Sequence, residues 1–221
     1  MTKTRPDRIV IATGNAHKVG ELAAILADAA PGVRFVGLAE LDGTFEEPVE
    51  DGGTFEANAT IKARSYAAQT GAWCLADDSG IEIDALGGRP GVISSHYFCD
   101  GVPNEEQRRL PRAERDRLNN ERVLTELKGV EDRAARFVCT ILLADPEGNI
   151  RAESRGTFEG RIGEPPRVPA GANGFGYDPL FLTEQSGYSK TGAELDPEAK
   201  NRLSHRAAAG RGLVETMRQL W

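Results

Sequence analysis

Two adjacent carboxylates, Asp77 and Asp78, stand in the stretch Ala76-Asp77-Asp78-Ser79-Gly80, just after the apolar run Trp73–Ala76. At the C-terminal end of a buried strand, such a pair would lie where open α/β sheets bind ligands. Neighbouring carboxylates repel unless a cation stands between or beside them, and oxygen donors of this kind suit Mg²⁺. The same residues also read as a polar turn in which the aspartates accept from nearby N–H groups. A second stretch, Thr13-Gly14-Asn15-Ala16-His17-Lys18, falls between an apolar run and a helical pattern. Free N–H groups at such a junction, the helix dipole and the Lys18 ammonium would together hold phosphate. It lacks Walker A spacing, and an ordinary strand-to-helix turn with an exposed lysine reads the same way. Further on, Gly174-Phe175-Gly176-Tyr177-Asp178-Pro179 alternates glycine with aromatics. That pattern lets a backbone or a ring approach a flat ligand, unless the aromatics serve the core. Ser204-His205-Arg206, with Lys200 one turn earlier, gathers donors near a helix start; the plainer reading is a serine cap with exposed basic neighbours.

These stretches need elements to hold them. Arg8–Thr13 reads as a short buried strand stopped by Gly14-Asn15, and 19–30 as a helix ended by Pro31-Gly32. Val33–Leu38 is a second strand. The acidic, glycine-bearing 39–53 is a loop, whose Glu46, Glu47, Glu50 and Asp51 are either solvated or a further source of oxygen ligands. Thr54 is an N-cap for a helix over 55–70, closed by Gly71. Strands at 73–76 and 81–86 flank the turn at Asp77–Gly80. A charged helix over 105–127 should break near Pro111. Strands 136–144 and 150–162 form a hairpin around Asp145–Asn149. A short strand covers 177–182, and a last helix runs from Ser204 to Leu220. The mixed order of strands and helices predicts one α/β domain over 1–221, built on a mixed sheet.

Composition narrows the function classes. The 221 residues carry 27 basic and 34 acidic side chains, net −7, so no basic footprint for nucleic acid is present. No apolar run approaches the roughly 18 residues of a membrane span. The first residues lack a secretory h-region, and three cysteines form no CxxC pair, so a reducing cytoplasm is expected. Cys74 and Cys139 read as core thiols. His17 and His96 have no partner at metal-ligand spacing, and Gly-x-Ser-x-Gly is missing.

Taken in order, TGNAHK, ADDSGIEIDALGGRPGVISSHY, GFGYDPLF and SHRAAA closely resemble the inosine triphosphate pyrophosphatase family, which removes deaminated purine nucleotides. The resemblance spans Ile9 to Leu220. It implies an elongated mixed β-sheet with flanking helices in two lobes around a central cleft, usually as a homodimer. It implies hydrolysis of dITP/ITP or dXTP/XTP to the monophosphate and pyrophosphate, with Mg²⁺ as cofactor and substitution by Mn²⁺ left open. Carried over residue by residue, Thr13, Gly14, Asn15, Ala16, His17 and Lys18 would hold the triphosphate. Asp78 would be the catalytic carboxylate, Ser79 would touch substrate, and Glu50 with Asp78 and Asp77 would hold the metal. Phe175, Gly176, Tyr177 and Asp178 would line the base and sugar pocket, completed by Lys200, His205 and Arg206. Two departures stand out. EPVEDGG replaces the family's shorter acidic motif, which leaves Glu46, Glu47 and Glu50 as alternative ligands. Extra charge and Pro111 in 98–117 would alter a dimer surface or a cleft edge. The competing readings are a Maf-like pyrophosphatase for modified or pyrimidine nucleotides, and a nucleotide-binding module without turnover.

Overall fold

Arg8–Ile11 (β1) supplies three consecutive buried aliphatic residues to the middle of a half-sheet. It pairs in parallel with Arg34–Gly37 (β2) on one side and with Trp73–Ile83 (β3) on the other, Ile11 standing opposite Leu75. Ala134–Ala144 (β4), Ile150–Ile162 (β5) and Phe181–Thr183 (β6) complete a six-stranded sheet in the order β2-β1-β3-β4-β5-β6. The β5–β6 pair is antiparallel, so the sheet is mixed as expected. The computed structural model describes residues 5–13, 16–27 and 30–220.

Six α-helices are described: α1 (Ala16–Ala27), α2 (Phe55–Thr70), α3 (Glu105–Arg108), α4 (Arg112–Glu126), α5 (Pro197–Leu203) and α6 (His205–Met217). The bounds of α2 are those its sequence dictates. Thr54 Oγ1 accepts from the Ala57 N–H at 3.1 Å, and Gly71 ends the helix in the left-handed region at φ 59°. Pro111 separates α3 from α4, since it cannot donate to a helical ladder.

Two expectations fail: the strand read over 177–182 is a turn as far as Leu180, with β6 confined to Phe181–Thr183, and the turn expected after Ala76 is absent. No turn interrupts Asp77–Gly80; β3 runs unbroken from Trp73 to Ile83. Asp and Ser form turns because their side chains compete for local backbone donors. Here each aspartate finds a long-range cation instead, and the backbone is left to the sheet.

The chain forms two compact units: Met1–Asp78 with Cys139–Thr157 and His205–Trp221, and Ser79–Val138 with Phe158–Ser204. In the first, strand alternation sorts the core onto two faces. Ile9, Ile11, Leu75 and Cys139 pack with Leu22 and Leu26 of α1 and Leu213 of α6. Val10, Cys74, Ala76 and Leu142 pack with Ala59, Ala63 and Ala67 of α2. Burial raises both buried thiols, Cys74 to about 11, which marks them as core residues rather than nucleophiles. The second unit centres on Ile81, Tyr97, Val123, Phe158 and Phe181.

Candidate functional site

Strand parity decides where the two aspartates go. Asp77 follows Leu75 onto the α1/α6 face, and Asp78 follows Ala76 onto the α2 face. The adjacent carboxylates therefore share no hydrogen-bonded cation; each has its own.

Asp77 is 3% exposed. Its Oδ2 accepts from Lys18 Nζ at 3.0 Å and from Arg206 Nε at 3.4 Å, and Arg206 Nη1 donates to Glu21 Oε2 at 2.7 Å. Burial alone would raise the Asp77 carboxyl, but the charges of Lys18, Arg206 and Lys62 outweigh it and hold the group well below the usual carboxylate range. Lys18 and Glu21 are one turn apart on α1, so a single helix end supplies both a cation for Asp77 and an anion for Arg206.

Asp78 sits over α2, where Asn58 and Lys62 share a face at i and i+4. Lys62 Nζ donates to Asp78 Oδ1 at 3.2 Å and to Glu50 Oε2 at 2.7 Å, and Asn58 Nδ2 donates to Asp78 Oδ2 at 3.2 Å. Asn58 Oδ1 in turn accepts the Gly52 N–H at 2.8 Å. A Cβ at Gly52 would stand 2.5 Å from that of Ala57, so only glycine lets the acidic loop lie this close to the helix. Two carboxylates thus share one ammonium. Burial raises the Asp78 carboxyl; Lys62 opposes this and Glu50 adds to it. Burial pulls Lys62 down, but Asp78 and Glu50 carry it above its ordinary value. Both directions follow from a cluster with one more negative than positive charge, which holds protons tightly. Of the three candidate glutamates, Glu50 is the one on Lys62; the backbone N–H and C=O of Glu46 pair with the Gln69 side chain.

The glycine-aromatic segment belongs to the second unit. Phe175 is 47% exposed, whereas Tyr177 is buried and donates its hydroxyl to the Ser94 carbonyl at 2.7 Å. Of the two aromatics, Tyr177 serves the core and Phe175 offers its ring. Asp178 Oδ2 accepts the Phe175 N–H at 2.8 Å and also the Lys200 ammonium. A Cβ at Gly174 would fall 2.2 Å from that oxygen, so glycine is required there as well. The Arg112 guanidinium lies 4.0 Å from the Phe175 ring centroid, and Lys200 Nζ 5.5 Å from it.

The remaining predicted residues are placed as follows. Thr13 lies just beyond β1, its N–H donating to the Ile11 carbonyl at 3.0 Å. Gly14 and Asn15 lie outside the described residues, as do the side chains of Ala16 and His17. Ser79 is a half-buried member of β3, and His205 opens α6. Arg206 stands with Asp77 in the first unit, and Lys200 with Asp178 in the second. Sequence reasoning missed Asn58, Lys62, Glu21 and Arg112. A signal for Lys62 was present: it is one of only six lysines and sits four residues after an asparagine in a helix otherwise rich in alanine.

Residues 9–216 match the model of the Ham1 family. The chain belongs to the Ham1 family. Among its relatives, a dITP/XTP pyrophosphatase of Leifsonia xyli is 45% identical over 215 residues, covering 96% of each chain. A dITP/XTP pyrophosphatase of Nitratidesulfovibrio vulgaris is likewise 45% identical, covering 96% of this chain and 97% of that one. The solved structure of a HAM1 protein from Coxiella burnetii superposes with a TM-score of 0.78 at 37% identity, over 96% of this chain and 98% of that one. The resemblance read from the four motifs is therefore borne out along nearly the whole chain, and so is the mixed α/β sheet of this Ham1 family member.

Proposed function

We propose that this chain hydrolyses deaminated purine nucleoside triphosphates, dITP/ITP and dXTP/XTP, to the monophosphate and pyrophosphate, and so cleanses the nucleotide pool. The observation that carries the chemistry is Asp78: a buried carboxylate with a raised proton affinity, steadied on both oxygens by Lys62 and Asn58. The names of the relatives support the substrate class. Water attacks the α-phosphorus, its proton goes to Asp78, and the bridging oxygen leaves with pyrophosphate. Lys18 turns from Asp77 to the phosphate oxygens as their charge develops.

Among the described residues, no cluster of three or more His, Cys, Asp or Glu is placed to hold a metal. Mg²⁺, however, is commonly held by one or two carboxylates together with substrate phosphates. Glu50 and Asp78 already share one cation and fit that demand; Asp77 faces the other way. When bound, the metal would neutralise charge on the phosphates. Glu50→Gln should raise the Mg²⁺ concentration for half-maximal turnover by roughly tenfold or more, with Glu46→Gln and Glu47→Gln near wild type. A half-saturation unmoved by Glu50→Gln would remove it from the metal set.

Selectivity follows from the base edge. A 6-oxo purine accepts where adenine donates, so a buried donor facing that edge rejects ATP by a few kcal/mol. Phe175 supplies a surface for stacking the base, and Lys200 a donor beside it. The resemblance further supports a homodimer in the cytoplasm, and light scattering at twice 23.8 kDa checks the dimer.

The test is release of monophosphate and pyrophosphate from ITP and XTP against ATP, dTTP and UTP, with and without EDTA. Equal turnover of dTTP or ATP would sink the substrate assignment, and binding without pyrophosphate release would sink the enzyme. Within the same panel, Lys18→Ala should raise the KM for ITP roughly tenfold or more, the worth of a charge-assisted hydrogen bond. The exposed Lys128→Ala is the control. An unchanged KM would take Lys18 away from the phosphates.

A further inference from the structure

Arg112, Asp116 and Asn120 recur every fourth residue along α4, on one helix face, and all three engage two consecutive residues of the glycine-aromatic segment. Asp116 Oδ2 accepts the Gly176 N–H at 2.9 Å, Asn120 Nδ2 donates to the Gly176 carbonyl at 3.1 Å, and Arg112 covers the Phe175 ring. Arg112 Nε is itself 3.8 Å from Asp116 Oδ2, which holds the guanidinium over the ring.

Gly176 lies at φ 63°, outside any regular element, so no ladder satisfies its peptide groups. Side chains of one helix take both. Asn120 does so at a cost, because its Oδ1 is buried without a hydrogen-bond partner among the described residues. Packing alone would be served better by an apolar side chain there; what the amide uniquely gives is the bond to Gly176. On the other side of the ring, the Phe175 N–H is fixed by Asp178. An exposed aromatic side chain is thus bracketed by backbone bonds before and after it.

We propose that Asp116 and Asn120 are positioning residues that fix the Gly176 peptide and thereby the Phe175 ring, which Arg112 helps to hold, for stacking against the purine base. This rests on the function proposed above. A ring fixed in advance loses less side-chain freedom when a base stacks on it, which strengthens binding without a new contact.

The test compares ITP with ribose 5-triphosphate, which carries the phosphates and no base. Asp116→Ala and Asn120→Ala should raise the KM for ITP about tenfold to a hundredfold, as misplacement of a binding surface does. Their kcat, and their kcat/KM for ribose 5-triphosphate, should stay within about twofold of wild type. Asp116→Asn keeps an acceptor for the Gly176 N–H and should restore the KM for ITP. Thermal melts confirm that the alanine variants are folded; should either fail to fold, Asp116→Asn and Arg112→Ala carry the same comparison, the latter raising the KM for ITP alone. Equal losses on both substrates, or no change in a folded alanine variant, would overturn the positioning role. Failure of wild type to release pyrophosphate from ITP would instead overturn the function on which it rests.

Discussion

Asp78→Asn is expected to lower kcat for ITP by at least about 10²–10⁴-fold, the usual worth of a general base. The substitution is nearly isosteric and keeps an oxygen for Lys62, which donates to Oδ1 at 3.2 Å. It removes a charge that burial disfavours but sets an amide nitrogen against Asn58 Nδ2, which donates to Oδ2 in the wild type; the two effects oppose, so the melting temperature should change by no more than a few degrees. That combination separates chemistry from folding, because a merely structural carboxylate would lose stability and activity together. Nucleotide binding, followed by calorimetry, should survive. Turnover within tenfold of wild type would remove Asp78 from the mechanism.

How much of this was legible depends on how far apart the partners lie. The helix over 55–70 was readable to its ends because both caps are local, Thr54 on Ala57 and Gly71 on its own φ. The hairpin strands and the break at Pro111 were readable for the same reason. The run Asp77–Gly80 misled because turn chemistry is a local rule, while the groups that kept it in a strand lie elsewhere: Lys18 is 59 positions away and Arg206 129 positions away. Once β3 is known to be continuous, parity puts the two aspartates on opposite faces, and a shared metal for the pair no longer follows. Lys62 was hinted at by its scarcity and its spacing from Asn58, but nothing local shows that a helix lysine turns inward onto Glu50 and Asp78. In the glycine-aromatic segment, the alternation left both aromatics as either ligand-facing or core, and only the fold shows that Tyr177 serves the core while Phe175 is exposed.

The second large effect is expected at the Asp77 cluster, and it is one of stability. Lys18, Glu21, Asp77 and Arg206 carry two charges of each sign, and Arg206 is 3% exposed. Arg206→Met keeps much of the volume but takes the guanidinium from both Asp77 and Glu21. Breaking a buried pair from one side costs about 3–5 kcal/mol, because the remaining charge keeps its desolvation penalty and loses its partner. At roughly 2–4 °C per kcal/mol for a chain of this size, the melting temperature should fall by about 10 °C. Asp77→Asn should destabilise for the mirror reason, leaving two cations against Glu21. Combining the two substitutions removes one charge of each sign and restores the balance, so the double variant should be more stable than the sum of the single losses by about 0.5–3 kcal/mol. Thermal or urea unfolding of the four proteins measures this directly. Strict additivity would mean that the pair is held by its surroundings and not by its charges. The ratio of kcat/KM for ITP over ATP in Arg206→Met then asks a separate question, since a general loss of stability cancels from it. A ratio that falls makes Arg206 a reader of the 6-oxo edge as well as the counter-ion of Asp77, and an unchanged one leaves base recognition to the Phe175 segment.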